Sequence, residues 1–225
     1  MTDTGSRFAG HVRMPSAVGG ADGYGVAHGV LSEPLLLALQ REARGFAAKR
    51  SGVPGSRKGG SVPFSELARD PLGLCAGLYR SPEMLAVVQR VGGVREPLRR
   101  LPAGRPHACS LLVYEQAGDR IGWHHDTNYF RGTTVTVLLT LLNRDERGGC
   151  CSANRSCAVL DGAARCADTR ENSVIVMHGS RVRHSALPLG EGETRVVLSM
   201  VYSTDPRSTP LQRVGMAVKD WSFFG

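Results

Sequence analysis

From residue 107 onward the chain consists of short apolar or β-branched runs with no helix-length segment between them. His107–Glu115, Thr133–Asn143, Ser173–Met177 and Thr194–Ser203 each have the length of one strand. Polar or Gly-rich turns separate them, at Glu115–Asp119, Arg147–Gly149 and Leu189–Glu193. Strands that follow one another without crossover helices do not build a parallel sheet. They predict an antiparallel sandwich or jelly roll.

The first 106 residues have a different grammar. Residues 1–31 read as an extended lead-in with one edge strand. Ser32-Glu33-Pro34 reads as a helix start, with a hydroxyl at the N-cap and Pro near the first turn. The helix it opens puts Leu36, Leu39, Ala43 and Phe46/Ala47 on one stripe, so that face is expected to pack on something flat. Residues 51–63, rich in Gly, Ser and Pro, read as a loop. Helical pieces follow over roughly 64–80 and 82–91, the second opened by Ser81-Pro82-Glu83. The expectation is a mainly β, α+β chain of one domain. Residues 1–106 are its lead-in and helical support, 107–203 its core, and 204–225 a C-terminal extension.

A length of 225 residues with 41% hydrophobic and 21% charged residues supports a packed core and excludes wholesale disorder. No run approaches the roughly 18 apolar residues of a membrane span, and Met1–Ser6 lacks the pattern of a signal peptide. The expected location is cytoplasmic. The net charge of +8 raises the question of nucleic acid, but only Lys49, Lys58 and Lys219 are lysine and the arginines are scattered. The local group Arg95, Arg99, Arg100 and Arg105 is too short for a nucleic-acid arm, so the charge is read as a solvated basic surface.

Gly122-Trp123-His124-His125-Asp126 carries the most chemistry. Side chains two apart on a strand share a face, so His124 and Asp126 point one way and His125 the other. An imidazole and a carboxylate together are two-thirds of the facial triad that holds non-haem Fe(II) and leaves positions open. His184, between two predicted strands, fits as the third ligand. Eleven residues later Arg195 opens an apolar strand, where a guanidinium is costly unless it meets a carboxylate. His178 is a rival ligand, but Leu187-Pro188-Leu189 at the equivalent offset supply no cation, and it reads as a turn residue.

Gly122–Asp126, the strand Thr134–Asn143 closing on Gly148-Gly149, and His184…Arg195 together resemble the Fe(II)/2-oxoglutarate-dependent dioxygenase superfamily over roughly residues 107–203. That resemblance implies a double-stranded β-helix core of the jelly-roll or cupin-like kind. It implies Fe(II) held by His124, Asp126 and His184, with 2-oxoglutarate and O2 as cosubstrates. Arg195 would pair with the distal carboxylate of 2-oxoglutarate, and Tyr114 would hydrogen-bond the cosubstrate or substrate unless it is a core tyrosine. The segments 111–126, 128–143 and 184–200 are also similar to small bacterial enzymes that halogenate or hydroxylate free amino acids. Halogenating members carry Gly in place of the metal-binding carboxylate. Asp126 departs from them, which argues for hydroxylation, desaturation or ring formation in a biosynthetic pathway.

A free amino acid needs a cation for its carboxylate and acceptors for its ammonium. Arg57 and Lys58, in the expected loop 51–63, are candidates for the first; His107, Glu115, Thr127 and Asn128 are candidates for the polar end. The alternatives are a nucleic-acid alkyl-removing repair dioxygenase and a protein hydroxylase. The first lacks the second arginine of its pattern, since position 201 is Val201. The second has no recognisable peptide groove. Cys150, Cys151, Cys157 and Cys166 do not have the knuckle spacing of a zinc site. They read as buried thiols, or as a Cys157/Cys166 pair across a hairpin turning at Asp161-Gly162. Cys75 and Cys109 read as core residues.

Overall fold

A computed structural model describes residues 6–16, 18–21, 23–53, 57–102 and 104–216. The lead-in contains β1 (Gly19–Ala21) and β2 (Tyr24–His28), one strand more than its composition predicts. Helix α1 (Glu33–Arg44) follows, then β3 (Lys49–Val53), β4 (Arg57–Val62), α2 (Phe64–Leu67), α3 (Leu74–Arg80), α4 (Pro82–Val91) and β5 (Arg99–Arg100). The remaining strands are β6 (Cys109–Tyr114), β7 (Arg120–His124), β8 (Thr134–Arg144), β9 (Ser156–Leu160), β10 (Ala163–Cys166), β11 (Ser173–Met177), β12 (His184–Ala186) and β13 (Thr194–Ser203). Residues 210–216 are helical, and the rest of the expected C-terminal extension lies outside the described residues.

The strands pair in the order β1-β2-β11-β8-β13-β6-β4-β7-β12-β9-β10, with β3 added beside β4 and β5 beside β13. Every pairing in this sheet is antiparallel. Strand β4 pairs with β6 through Gly60–Val62 and with β7 through Arg57 and Lys58, so it carries the sheet around a corner. The result is two layers, β2-β11-β8-β13-β6 and β7-β12-β9-β10. They meet through Ile175 and Met177 of β11 against Ala158 of β9, and through Tyr114 and Val197 against Ala186. This is the jelly roll that the helix-free run of strands predicts.

Period-two alternation sorts the long strands into two faces. Val135, Val137 and Leu139 of β8, Leu198 and Met200 of β13, and Leu111 of β6 face the helices and are fully buried. Their alternates Thr134, Thr136, Val197, Ser199, Leu112 and Tyr114 face a cleft between the layers. Near the end of β8 the register with β13 skips Leu141. Both Leu141 and Leu142 then pack toward the helices, and the carbonyl of Leu141 accepts a hydrogen bond from Gln40 of α1 at 2.7 Å. Such a bulge needs an outside donor for its carbonyl, and Gln40 supplies it.

The helices cover the outer face. The stripe buried by α1 is Leu35, Leu39 and Ala43; Leu36 and Phe46 are partly buried at its border, and the helix ends before Phe46. Each such leucine contributes about 2 kcal/mol by burial. The hydroxyl of Ser32 does not cap α1 and instead meets His11 Nδ1 at 2.8 Å. Ser81 does cap α4, accepting from Met84 N at 3.1 Å. The expected helix over 64–80 is broken into α2 and α3 by Asp70–Gly73. Glu42 of α1 accepts from the amides of Leu74 and Cys75 and so caps α3 from a distance. Tyr79 of α3 and Tyr202 of β13 fasten this layer, the Tyr202 hydroxyl donating to Tyr79 O at 2.9 Å.

The expected loop 51–63 is a hairpin of β3 and β4, with residues 54–56 outside the described set. Glycine weakens a strand by entropy, but here it permits close packing: a Cβ on Gly60 would lie 2.9 Å from Ala48 Cβ. Cys157 and Cys166 are directly opposite on the β9–β10 hairpin and disulfide-bonded, with positive φ at Asp161 and Gly162 as a two-residue type I′ turn requires. Cys150 and Cys151 are bonded to each other, while Cys75 and Cys109 are buried free thiols. Among the described residues no helix is long and apolar enough to cross a membrane.

The turn between β6 and β7 is held by Asp119, whose side chain is fully buried. It accepts from Arg50 Nη1 and Nη2 at 3.1 and 2.6 Å and from the amides of Glu115 and Gln116 at 3.1 Å. Burial acts to raise its pKa, but the Arg50 guanidinium and the two amides outweigh it and hold the carboxyl below the usual range. Asp119→Asn should cost about 2 kcal/mol in denaturant unfolding at neutral pH. Because the native pKa is depressed, that stabilisation is present above the ordinary carboxylate range and is lost as pH falls through the native value. The difference between wild type and variant should therefore shrink between about pH 5 and pH 3; a gap independent of pH would show that charge is not its source.

Candidate metal centre

Antiparallel pairing of β12 with β7 places His184 directly opposite His124. Their ring centroids are 4.2 Å apart. Strand β7 ends at His124, so Asp126 lies beyond it rather than on it as the spacing predicts. Its carboxylate still turns to the same side: Asp126 Oδ1 is 3.5 Å from His124 Nε2 and 3.8 Å from His184 Nε2. Among the described residues these three form a His/Asp group whose donor atoms all lie within 4.8 Å of one another. His125, just past the end of β7, is exposed. His178 is not in this group; its amide donates to Gly23 O, and it sits at the turn after β11.

Each donor atom is oriented by a second contact. His124 Nδ1 lies 2.9 Å from Gly122 O, and His184 Nδ1 lies 2.9 Å from Val182 O. A ring N–H donated to a carbonyl fixes the tautomer in which Nε2 carries the free lone pair, the form a metal takes. Burial lowers the His184 pKa and the His124 ring adds to this, against the pull of Asp126, so the imidazole is favoured in its neutral form. Thr136 Oγ1 donates to Asp126 Oδ2 at 2.6 Å, leaving Oδ1 facing the two imidazoles. Asp126 N donates to Gly179 O at 2.8 Å. This close approach needs glycine, since a Cβ at position 179 would lie 2.0 Å from Asp126 Oδ2.

Arg195, at the start of β13, opens onto the same cleft and is only 1% exposed. Nη1 donates to Asn154 O and Oδ1, Nη2 donates to Ser156 Oγ, and buried Nε has no partner. Among the described residues no carboxylate pairs with this guanidinium. Burial depresses its pKa to about 10, so it keeps its charge at neutral pH. Tyr114 is its register partner on β6 and lines the cleft; burial raises its phenol pKa, with Arg195 and Arg57 acting against this. The phenol is therefore a neutral donor beside the cation.

Of the residues expected to grip a substrate, His107 and Thr127 line the cleft. The others do not. Arg57 is buried on β4, with Nη1 3.3 Å from Ser51 Oγ. Lys58 reaches the Ala117 carbonyl on the surface. Glu115 is exposed beside Arg50. Asn128 folds its own loop, donating to Gly132 O and accepting from Phe130 N, both at 2.9 Å. Thr136, Gly179 and Asn154 were not singled out by their sequence context. Only Thr136 has a local signal, as one of the threonines that alternate with apolar residues along β8.

Gly179→Ala should push the Asp126 carboxylate out of line. Divalent-ion affinity, read by calorimetry with Mn(II), is expected to fall about 10- to 100-fold, the usual loss when a ligand's support is removed. Unchanged affinity would mean that the Asp126 carboxylate is not needed where it stands.

No family model matches the sequence, and no curated protein matches it. Solved structures do match. The non-haem α-ketoglutarate-dependent epimerase SnoN from nogalamycin biosynthesis is 24% identical, with 80% of this chain and 77% of that chain aligned at a TM-score of 0.62. A prolyl-4-hydroxylase from Pseudomonas putida is 17% identical over 89% of this chain and 96% of its own, at 0.59. HygX from Streptomyces hygroscopicus, solved with nickel and 2-oxoglutarate bound, is 15% identical over 81% and 83%, at 0.59. With the jelly roll and its strand order already established, these likenesses identify the fold as that of the Fe(II)/2-oxoglutarate-dependent oxygenases.

Proposed function

We propose that this chain is an Fe(II)- and 2-oxoglutarate-dependent oxygenase that oxidises an unactivated C–H bond of a small molecule. The observation that carries this reading is the buried, charged guanidinium of Arg195, unmatched by any described carboxylate, facing the same cleft as two imidazoles and a carboxylate. A buried cation without a counter-ion costs several kcal/mol unless a ligand supplies one. The donor set of two neutral imidazoles and one carboxylate fits ferrous iron with positions left for a chelating keto acid and O2. In this reading His124, Asp126 and His184 would hold the ion, and Arg195 with Tyr114 would bind the far carboxylate of 2-oxoglutarate. Bound iron would activate O2, the oxidant, with the keto acid as co-reductant converted to succinate and CO2, so that one oxygen atom enters succinate and, in hydroxylation, the other the substrate. The chain's own contribution is orientation and exclusion of water: Leu112, Ile121, Leu138 and Val197 line the cleft around the polar groups.

The small-molecule reading is supported by the likeness to SnoN, an epimerase of nogalamycin biosynthesis. The finer reading of a free amino acid keeps only His107 and Thr127 of its proposed grips in the cleft. We therefore propose a small metabolite as the substrate class, amino acids being one member of it. Asp126 fills the position a halide would need, so hydroxylation or a related radical outcome is proposed over halogenation.

Replacing His124, Asp126 or His184 by Ala should abolish Fe(II)-dependent succinate release; full turnover in any of these variants removes that residue from the metal site. Arg195→Gln is expected to raise the KM for 2-oxoglutarate about 100-fold, the cost of losing a buried charge partner. A KM within twofold of wild type would detach Arg195 from the cosubstrate. Substrate class is tested by coupled 2-oxoglutarate consumption against amino acids, larger metabolites, prolyl peptides and methylated oligonucleotides. Turnover with a peptide or oligonucleotide alone would contradict a small-molecule substrate.

A further inference from the structure

Among the described residues every partner of the Arg195 side chain is uncharged, and one of them is built to stay still. Asn154 is fully buried, in the segment that leads into β9. Its carbonyl and its Oδ1 accept from Arg195 Nη1 at 3.0 and 2.9 Å. Its Nδ2 donates to the carbonyls of Asp119 at 3.1 Å and Leu187 at 2.6 Å. Both ends of the amide are thus used, and its donors run to the ends of two different connections, one before β7 and one after β12. The flanking backbone is fastened as well: Ala153 N donates to the Glu193 carboxylate and Leu187 N to Arg155 O. A rotation of Asn154 would strand buried polar groups.

A carboxylate at position 154 would also accept from the guanidinium, but it would cancel the charge and could not donate to the Asp119 and Leu187 carbonyls. An amide does the first without the second. Guanidinium has five donors. Asn154 and Ser156 take three hydrogen bonds, and among the described residues no group accepts from Nε. We infer that Asn154 is a positioning residue that locks the Arg195 guanidinium at the cleft while keeping its positive charge for an incoming carboxylate ligand. This inference rests on the oxygenase reading, in which that ligand is 2-oxoglutarate.

The test is calorimetric titration of 2-oxoglutarate into the Mn(II)-loaded protein, wild type against Asn154→Asp and Asn154→Ala. The aspartate keeps an acceptor beside Nη1 but adds an internal counter-ion, so its affinity for 2-oxoglutarate should fall about 100-fold. The alanine, which like the aspartate loses the two Nδ2 hydrogen bonds, also loses one acceptor for the guanidinium and should fall about 10-fold. Mn(II) affinity should stay close to wild type in both, because the three donor side chains are untouched. In turnover the KM for 2-oxoglutarate should rise with kcat at saturation little changed. A merely structural role predicts the reverse split, a lower melting temperature and kcat with KM unchanged, and that result overturns the inference. So does wild-type 2-oxoglutarate affinity in both variants. If Asn154→Asp does not fold, Asn154→Ala and Asn154→Ser decide by the same affinity. Failure of the wild-type protein to bind 2-oxoglutarate would instead defeat the oxygenase reading itself.

Discussion

Antiparallel register between β12 and β7 is the constraint on which the cleft depends. It sets His184 across from His124, strands that are distant in sequence but hydrogen-bonded in the sheet. Because side chains alternate at a period of two, a slip by one residue would turn either imidazole away from the cleft. The same rule holds on the other layer, where Arg195, Val197 and Ser199 of β13 face the cleft while Val196, Leu198 and Met200 are buried under the helices. A register error there would bury the apolar set against the cleft and expose a guanidinium to the helix layer. The apolar core therefore enforces the position of the charged groups: the side chains that β8, β13 and β6 bury under the helices fix what their other face presents.

Around that frame, polar groups are arranged so that few are left to chance. Backbone carbonyls of Gly122 and Val182 set the imidazole tautomers, Thr136 sets one carboxylate oxygen, and Asn154 with Ser156 sets the guanidinium. What these contacts omit is as informative as what they include. The Nε2 atoms of both histidines face Asp126 Oδ1, and among the described residues no carboxylate pairs with the charge of Arg195. Polar groups in low dielectric are held firmly when their hydrogen bonds are made, and these contacts hold the imidazoles, the carboxylate and the guanidinium at the cleft.

Much of this was legible in the sequence, and the parts that were not share a physical cause. Strands β6, β8, β11 and β13 lie within a residue or two of the apolar runs, because buried strands are specified by their own composition. The triad candidates were visible because His-x-Asp and a later His…Arg are local patterns. The β3–β4 hairpin was hidden: Gly59 and Gly60 look like loop residues, and only the proximity of Ala48 and Val113 explains them. Arg57, Glu115 and Asn128 were misplaced for a related reason, since whether a polar side chain faces a cleft, solvent or its own loop depends on the strand or turn it occupies. Gly179 and Asn154 act on Asp126 and Arg195 from far along the chain, 41 residues in the second case, and nothing near them in sequence marks that role.

Crystals grown anaerobically with Fe(II) and 2-oxoglutarate, with data collected at the iron absorption edge, address the account most directly. The expected result is a single iron bonded to Nε2 of His124, Nε2 of His184 and Oδ1 of Asp126, with a ligand carboxylate against the Arg195 guanidinium. Iron bound elsewhere, or Arg195 paired with a carboxylate of the protein itself, would contradict it.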